Sequence, residues 1–232
     1  MKNTGIILGS GLDKFADELS DADILFEDPE GIHRKKIIRG KINGKTVTVF
    51  SGRNHIYEKP SEEKLFFNVN FALKNKIDFL IITNAAGGLR KDFNIADLML
   101  ITSYINFQFK YQRGNAFKFS DDKNLYGKIS EIAITNQIPL KRGEYMSAQG
   151  PVYETNAEIN FYKKYNVDAV GMSTLPEVYL ANRYNIKTIG ISCITNLLNA
   201  EDTTVVSHNE VVEAGKSAYK NLSGLLKLLI DL

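Results

Sequence analysis

Asp168-Ala169-Val170-Gly171-Met172-Ser173-Thr174-Leu175-Pro176-Glu177 is the stretch on which the reading of this chain turns. The apolar, β-branched run at 167–170 marks the end of a buried strand, and Gly171 lets the backbone turn. Thr174 and Glu177 have capping-box spacing, and Pro176 between them suits the first turn of a helix. The stretch therefore predicts strand, tight turn and helix start. Unpaired amides and the positive end of a helix dipole would meet at Met172 and Ser173, a seat for an anion. An ordinary strand-to-helix junction reads the same way, so the other strand ends must decide.

Four of them look alike. The short apolar run at 5–8 ends in Gly9-Ser10-Gly11, and a helix is expected over 12–19. Two strand-like runs, 35–43 and 45–50, flank Asn43-Gly44, a strong hairpin signal, and the second ends in Arg53 and His55. The run at 79–82 ends in Thr83-Asn84-Ala85-Ala86-Gly87-Gly88, and the run at 187–194 delivers Thr195-Asn196. Helices are expected over 60–75, 125–136 and 156–165, and from Pro176 to about 184. Further strands are expected over 98–101 and 143–147, and residues 103–122 read as a long loop. Ser207-His208-Asn209-Glu210 is a second capping-box match. It opens a C-terminal helix with Val211, Ala218, Leu222, Leu225, Leu226 and Leu229 at helical spacing. Alternating strands and helices with short connections predict one α/β domain over 1–232. In such sheets, ligands bind where the carboxyl ends of several strands converge.

Composition narrows the ligand. The chain has 232 residues, 44% hydrophobic and 24% charged, with 29 basic against 27 acidic residues for a net charge of +2. That balance argues against nucleic-acid or membrane-surface partners. The single cysteine, Cys193, rules out an internal disulfide, fits a reducing compartment and reads as buried filler. The N-terminal apolar run is too short for a signal peptide, so a cytoplasmic location is expected. Gly9-Ser10-Gly11 starts like a dinucleotide fingerprint, but Lys14 stands where its last glycine belongs. A hydrolase elbow around Ser10 would need glycines at Leu8 and Leu12. No Walker lysine follows a glycine loop, no His or Cys spacing suggests zinc, and Asp121-Asp122 alone makes no metal cage. What remains is a site for an anion and a small molecule, with no metal. The three histidines, His33, His55 and His208, lie in or beside the loops; singly, each would read as solvated.

Gly9-Ser10-Gly11-Leu12, Gly52-Arg53-Asn54-His55-Ile56-Tyr57-Glu58, Thr83-Asn84-Ala85-Ala86-Gly87-Gly88-Leu89, Gly150-Pro151-Val152-Tyr153-Glu154-Thr155, Ala169-Val170-Gly171-Met172-Ser173-Thr174, Ile194-Thr195-Asn196 and Ser207-His208-Asn209-Glu210 occur in this order. With them the chain resembles the trimeric, 6-oxopurine-specific purine nucleoside phosphorylases from Gly9 to the C-terminal helix. The resemblance implies a central mixed, twisted sheet flanked by helices, and a pentosyltransferase of purine salvage. It would convert a purine (deoxy)ribonucleoside and phosphate reversibly to free base and (deoxy)ribose 1-phosphate. Phosphate would be a co-substrate, with no cofactor. By position, Ser10, Arg53, His55, the Ala85 backbone and Ser173 would hold phosphate, with His33 a weaker match. Tyr57, Met172 and His208 would contact the ribose, and Asn84 would line the nucleoside site. Glu154 and Asn196 would grip the base, with Tyr153 stacked near it. Glu154, Asn196, His55 and His208 are the candidate catalytic residues.

The residue chemistry suits these roles. Cleaving an N-glycosidic bond leaves positive charge on the sugar and negative charge on the departing purine. A phosphate dianion beneath the sugar is then both nucleophile and electrostatic stabiliser. Arg53 offers a planar fork to two phosphate oxygens, and at a strand end it is expected to hold little of the core. Asn196 can donate to the purine nitrogen that gains charge, and Glu154 can accept the N1 proton of a 6-oxopurine. A neutral His208 at a helix start suits a sugar hydroxyl.

The chain departs from the family at two places. Asp13 stands where glycine is common, and the 106–122 segment is short. In the family that segment lends an aromatic residue to a neighbouring subunit, a role open here to Phe107, Phe109, Tyr111, Phe117 or Phe119. A methylthioadenosine phosphorylase is the nearest alternative, but it typically has serine and aspartate where Glu154 and Asn196 stand. A non-catalytic purine-binding protein on the same scaffold is the other.

Overall fold

The structure is a computed structural model describing residues 3–28, 34–108, 123–201, 208–230 and 232, with positions 123, 208 and 209 described by backbone alone. The chain runs β1 (Thr4–Ile7), a 3-10 helix (Asp13–Glu18), β2 (Ser20–Asp28), β3 (Lys35–Ile42), β4 (Lys45–Ser51), a 3-10 turn (Ile56–Glu58), α1 (Glu62–Leu65) and α2 (Phe67–Lys74). It continues through β5 (Phe79–Gly88), β6 (Leu98–Asn106), α3 (Lys123–Thr135), β7 (Leu140–Ser147), α4 (Asn156–Lys164), β8 (Ala169–Gly171), α5 (Leu175–Arg183), β9 (Lys187–Leu197) and α6 (His208–Leu229).

Among the described residues, nine strands join one mixed sheet in the order β2-β3-β4-β1-β5-β8-β7-β6-β9, and β9 returns to pair with β5. The last five therefore close into a ring, while β2, β3, β4 and β1 extend from it as a wing. β4, β1, β5 and β9 run parallel, and β6, β7 and β8 run against β5 and β9. The central strands are continuous apolar runs because both of their faces are covered. On one face, Ala218, Leu222, Leu225 and Leu229 of α6 pack with Ile6, Leu8, Ile81 and Ile191. On the other, Val69 of α2 and Val178 of α5 pack with Ile7, Phe50, Leu80 and Ile82. The hairpin forms as expected around Asn43 and Gly44, both at positive φ (51° and 76°). Among the described residues, no helix is long and apolar enough to cross a membrane.

Several elements differ from their sequence pattern. The edge strand β2 was not expected, because Ser20–Asp28 is largely exposed and shows no alternation. Residues 13–18 form a 3-10 helix, not α, and the helix expected over 60–75 breaks at Phe66. β6 continues to Asn106 because β7 pairs with it that far, which removes 103–106 from the expected loop. β5 likewise runs to Gly88, so Asn84 and Ala85 lie mid-strand and not at a strand end.

That overrun creates the site. One edge of β5 pairs with β9 throughout, but the other pairs with β1 only over 79–82 and with β8 only at Gly87 and Gly88. Residues 83–86 face an opening between β1 and β8. The chain leaving β1 leans into it, with Gly9 N–H donating to Thr83 Oγ1 (2.8 Å). A Cβ on Gly9 would lie 2.8 Å from the Asn84 Cα, so only glycine allows this approach.

Candidate active site

Above the opening lies a cavity of about 870 Å³. Every sequence-predicted site residue whose side chain is described lines it: Ser10, Arg53, His55, Tyr57, Asn84, Ala85, Tyr153, Glu154, Met172, Ser173 and Asn196. His33 and the side chain of His208 lie outside the described residues, as does Ser207 with its capping-box match.

Arg53 follows β4 into the opening and is only 6% exposed. Its Nη2 donates to the carbonyls of Leu8 (3.1 Å) and Thr83 (2.7 Å), tying the exit of β1 to β5 where their pairing has stopped. Its Nη1 donates to Ser173 Oγ (3.2 Å) and Thr174 Oγ1 (3.4 Å), and its Nε lies 3.5 Å from Glu177 Oε1. The guanidinium is thus a buried joint between four segments, not the open two-pronged fork at a strand end that the sequence suggests. Nη1 has the longest hydrogen bonds and is the corner nearest the cavity hydroxyl of Ser173.

The turn at Ser173-Thr174 is tighter than its sequence implies. Thr174 sits at φ 77°, ψ −49°, with Leu175 N–H donating to Ser173 O at 2.8 Å. This is the rare, strained form of the γ-turn. The surroundings over-determine it, since Tyr145 Oη and Ser147 Oγ also donate to Ser173 O, each at 3.3 Å. No capping box forms at Thr174 and Glu177. Thr174 Oγ1 accepts from Asn84 Nδ2 (2.9 Å) and Arg53, and Glu177 turns to Arg53. The letters match a helix cap, but long-range partners claim both side chains. Ser173 Oγ accepts from Arg53, lies 3.3 Å from Thr174 Oγ1 and lines the cavity. Thr83 O and Ala85 O both face the β1–β8 edge, the latter beside Gly171, so the Ala85 N–H faces the same opening. Seat and donors are anion-shaped.

His55 stands at the rim. Glu58 Oε1 lies 3.0 Å from its Nδ1 and accepts its backbone N–H at 2.8 Å, which fixes the ring. Tyr57 stacks on His55 at 4.9 Å and 12°. Gly150, at φ 68°, brings the 150–155 segment against this pair: a Cβ there would lie 2.5 Å from Met172 Sδ and 2.9 Å from Tyr57 Cδ1. Burial pushes the Glu154 carboxyl above the usual carboxylate range, and the charge of Glu158 adds to the effect. Burial, then Glu154 and Glu210, also raises the Tyr153 phenol.

Asn196 arrives by a register shift. Ala86 pairs with Ile194 but Gly87 with Asn196, so β9 carries one extra residue, Thr195. The Asn196 side chain lies over Gly87, whose Cβ would be 3.2 Å from Nδ2. Thr195 Oγ1 donates to Asn196 Oδ1 (3.1 Å), which leaves Nδ2 as the group Asn196 offers to the cavity. Sequence reading missed Glu58 as the partner of His55, Glu177 as the partner of Arg53, and Gln108, whose Nε2 donates to the carbonyls of Ala148 and Met172. Only Glu58 carried a signal, its place three residues after His55. Phe107 packs on Phe161 and Tyr162 of its own chain, while Phe109, Tyr111, Phe117 and Phe119 lie outside the described residues. Among the described residues, no group of three or more His, Cys, Asp or Glu side chains could hold a metal ion.

A family model described as the phosphorylase superfamily matches residues 3–231. The chain belongs to the phosphorylase superfamily. Within it, the chain is 38% identical over 245 residues to purine nucleoside phosphorylase 1 of Bacillus subtilis (strain 168), covering 97% of this chain and 89% of that protein. It is 35% identical over 250 residues to the protein of the same name from Geobacillus stearothermophilus, with the same coverage. The superfamily fold is shared with a crystal structure of Schistosoma mansoni purine nucleoside phosphorylase in complex with adenosine. That structure aligns at a TM-score of 0.90 and 26% identity, over 99% of this chain and 90% of that one.

Proposed function

We infer that the protein cleaves purine nucleosides by phosphorolysis, transferring the pentosyl group to inorganic phosphate. One observation carries this reading. A preorganised anion seat and a pair of base-type partners, Glu154 and Asn196, open into the same cavity, in a chain of the phosphorylase superfamily.

Phosphate sits among Ser10, the Nη1 edge of Arg53, His55, the Ala85 N–H and the Ser173 hydroxyl. Tyr57 and Met172 flank the ribose, and His208 meets a sugar hydroxyl. His33, the weaker positional match, is assigned to phosphate as well. Tyr153 stacks near the base, Asn84 braces the floor, Glu154 accepts the N1 proton and Asn196 Nδ2 donates to N7. As the glycosidic bond lengthens, the phosphate dianion stabilises the cationic sugar and then bonds to C1′, while charge on the leaving purine is met at N7. Aimed donors of this kind are worth roughly 3–4 kcal/mol in the transition state. A carboxylate and an amide at these positions favour 6-oxopurines over the 6-amino substrate of a methylthioadenosine phosphorylase. The reading extends to a cytoplasmic homotrimer in which an aromatic residue of the 106–122 segment serves a neighbour's site.

Incubation with inosine, with and without phosphate, tests the activity: hypoxanthine should appear only with phosphate. Binding without turnover would favour a purine-binding protein. Analytical ultracentrifugation should show a trimer, and a fully active monomer would remove the shared-aromatic role.

A further inference from the structure

Glu177 is 3% exposed, sits on α5, and does not line the cavity. Burying a carboxylate is costly unless it is well paired, and a buried ion pair by itself is a poor source of stability. Its Oε1 lies 3.5 Å from Arg53 Nε and accepts no hydrogen bond among the described residues. The five N–H bonds of Arg53 are thereby all directed: two to backbone carbonyls, two to the hydroxyls of Ser173 and Thr174, and one towards Glu177. The carbonyls hold one corner of the guanidinium plane. Without a partner at Nε, the plane can still rotate about that corner and swing Nη1 away from Ser173.

We propose that Glu177 is a positioning residue for phosphate, fixing Arg53 at Nε so that Nη1 stays on the cavity hydroxyl. The assignment rests on the phosphorolysis reading. Glu177 touches neither substrate, so its effect is confined to the phosphate side of the cavity.

Steady-state kinetics in inosine and phosphate on Glu177→Ala, Glu177→Asp and Glu177→Gln tests it. Alanine removes the partner, and aspartate withdraws it by one methylene. Each should raise the phosphate KM about tenfold while the inosine KM stays within about twofold. Glutamine keeps an acceptor for Nε and should restore the phosphate KM to within about threefold of the parent. Three results would overturn the proposal: an unchanged phosphate KM in the aspartate variant, both KM values rising together, or glutamine no better than aspartate. If the alanine variant does not fold, the aspartate and glutamine pair decides alone. A parent that cleaves inosine without phosphate sinks the phosphorolysis reading itself. A phosphate-dependent parent whose aspartate variant keeps the parental phosphate KM sinks only the role of Glu177.

Discussion

The two halves of the cavity are built on different terms. On the phosphate side, Arg53, Asn84, Thr174 and Glu177 are all buried; the first three are hydrogen-bonded to distant segments, and Glu177 is ion-paired with Arg53. On the base side, Tyr153 is 39% and Val152 78% exposed, in a segment without regular structure. The anion seat is thus set by the sheet before any ligand arrives, with little reorganisation left to do. The base side keeps polar groups whose partners a ligand would supply. On the proposed assignment, affinity for phosphate is tied to folding, whereas choice of base is separable from it.

Arg53→Ala strikes hardest at this contrast. It strips partners from the carbonyls of Leu8 and Thr83 and leaves Glu177 without its cation. A loss of roughly 3–5 kcal/mol is expected, together with phosphate-dependent turnover. Urea unfolding reads it as a lower midpoint at constant slope. An unchanged midpoint would show that the seat is not part of the scaffold and would break the comparison.

Asn196→Asp should leave the unfolding midpoint nearly in place and act on chemistry. It replaces the Nδ2 donor with an acceptor, and the inosine kcat/KM should fall about 10²–10³-fold. The parent should prefer inosine to adenosine by roughly one to two orders of magnitude or more, because a buried polar mismatch costs about 1–3 kcal/mol. The substitution should narrow or reverse that ratio. An unchanged ratio would mean that Asn196 does not read the base.

Glu154 gives a pH signature of intermediate size. Its carboxyl is raised by burial, and only the ionised form accepts the N1 proton, so inosine kcat/KM should drop on acidification with a midpoint above the usual carboxylate value. Glu154→Gln should abolish that limb. Stability runs the other way. Between the unfolded and the raised folded pKa, the folded state binds more protons than the unfolded one. The contribution of Glu154 to stability therefore declines as pH rises through that window and is lowest above it. Glu154→Gln should flatten this dependence in urea titrations at successive pH values. A parent whose acid limb lies at the ordinary carboxylate position would contradict the burial argument.

Tyr153→Ala should have the smallest effect. A stacking loss of about 1 kcal/mol is about a fivefold rise in nucleoside KM, with stability changed by no more than about 0.5 kcal/mol. A large loss of stability would show the rim to be as structural as the floor.

What the sequence disclosed follows from what is local. Apolar runs fixed the central strands, Asn43-Gly44 fixed the hairpin, and the spacing of Ala218, Leu222, Leu225 and Leu229 fixed the face of α6, because each needs only its neighbours in the chain. The site residues came together from ordered motifs. What stayed hidden depends on partners far away in the chain. Ser20–Asp28 is a strand only because β3 pairs with it, and Thr83 to Gly88 remain extended because β9 does. Thr174 and Glu177 spell a helix cap, but Asn84 and Arg53, far earlier in the chain, divert them.

The extra residue in β9 has a consequence for how such a site could change. Asn196 reaches its place because Thr195 is inserted between paired positions, so that Asn196 stands abreast of Gly87 and not Gly88. Loss of that one codon would leave Asn196 abreast of Gly87 in regular pairing but remove the Thr195 hydroxyl that holds its Oδ1, so that the amide is free to turn over. The aim of the Asn196 amide therefore depends on the hydroxyl of the inserted neighbour as well as on its own identity.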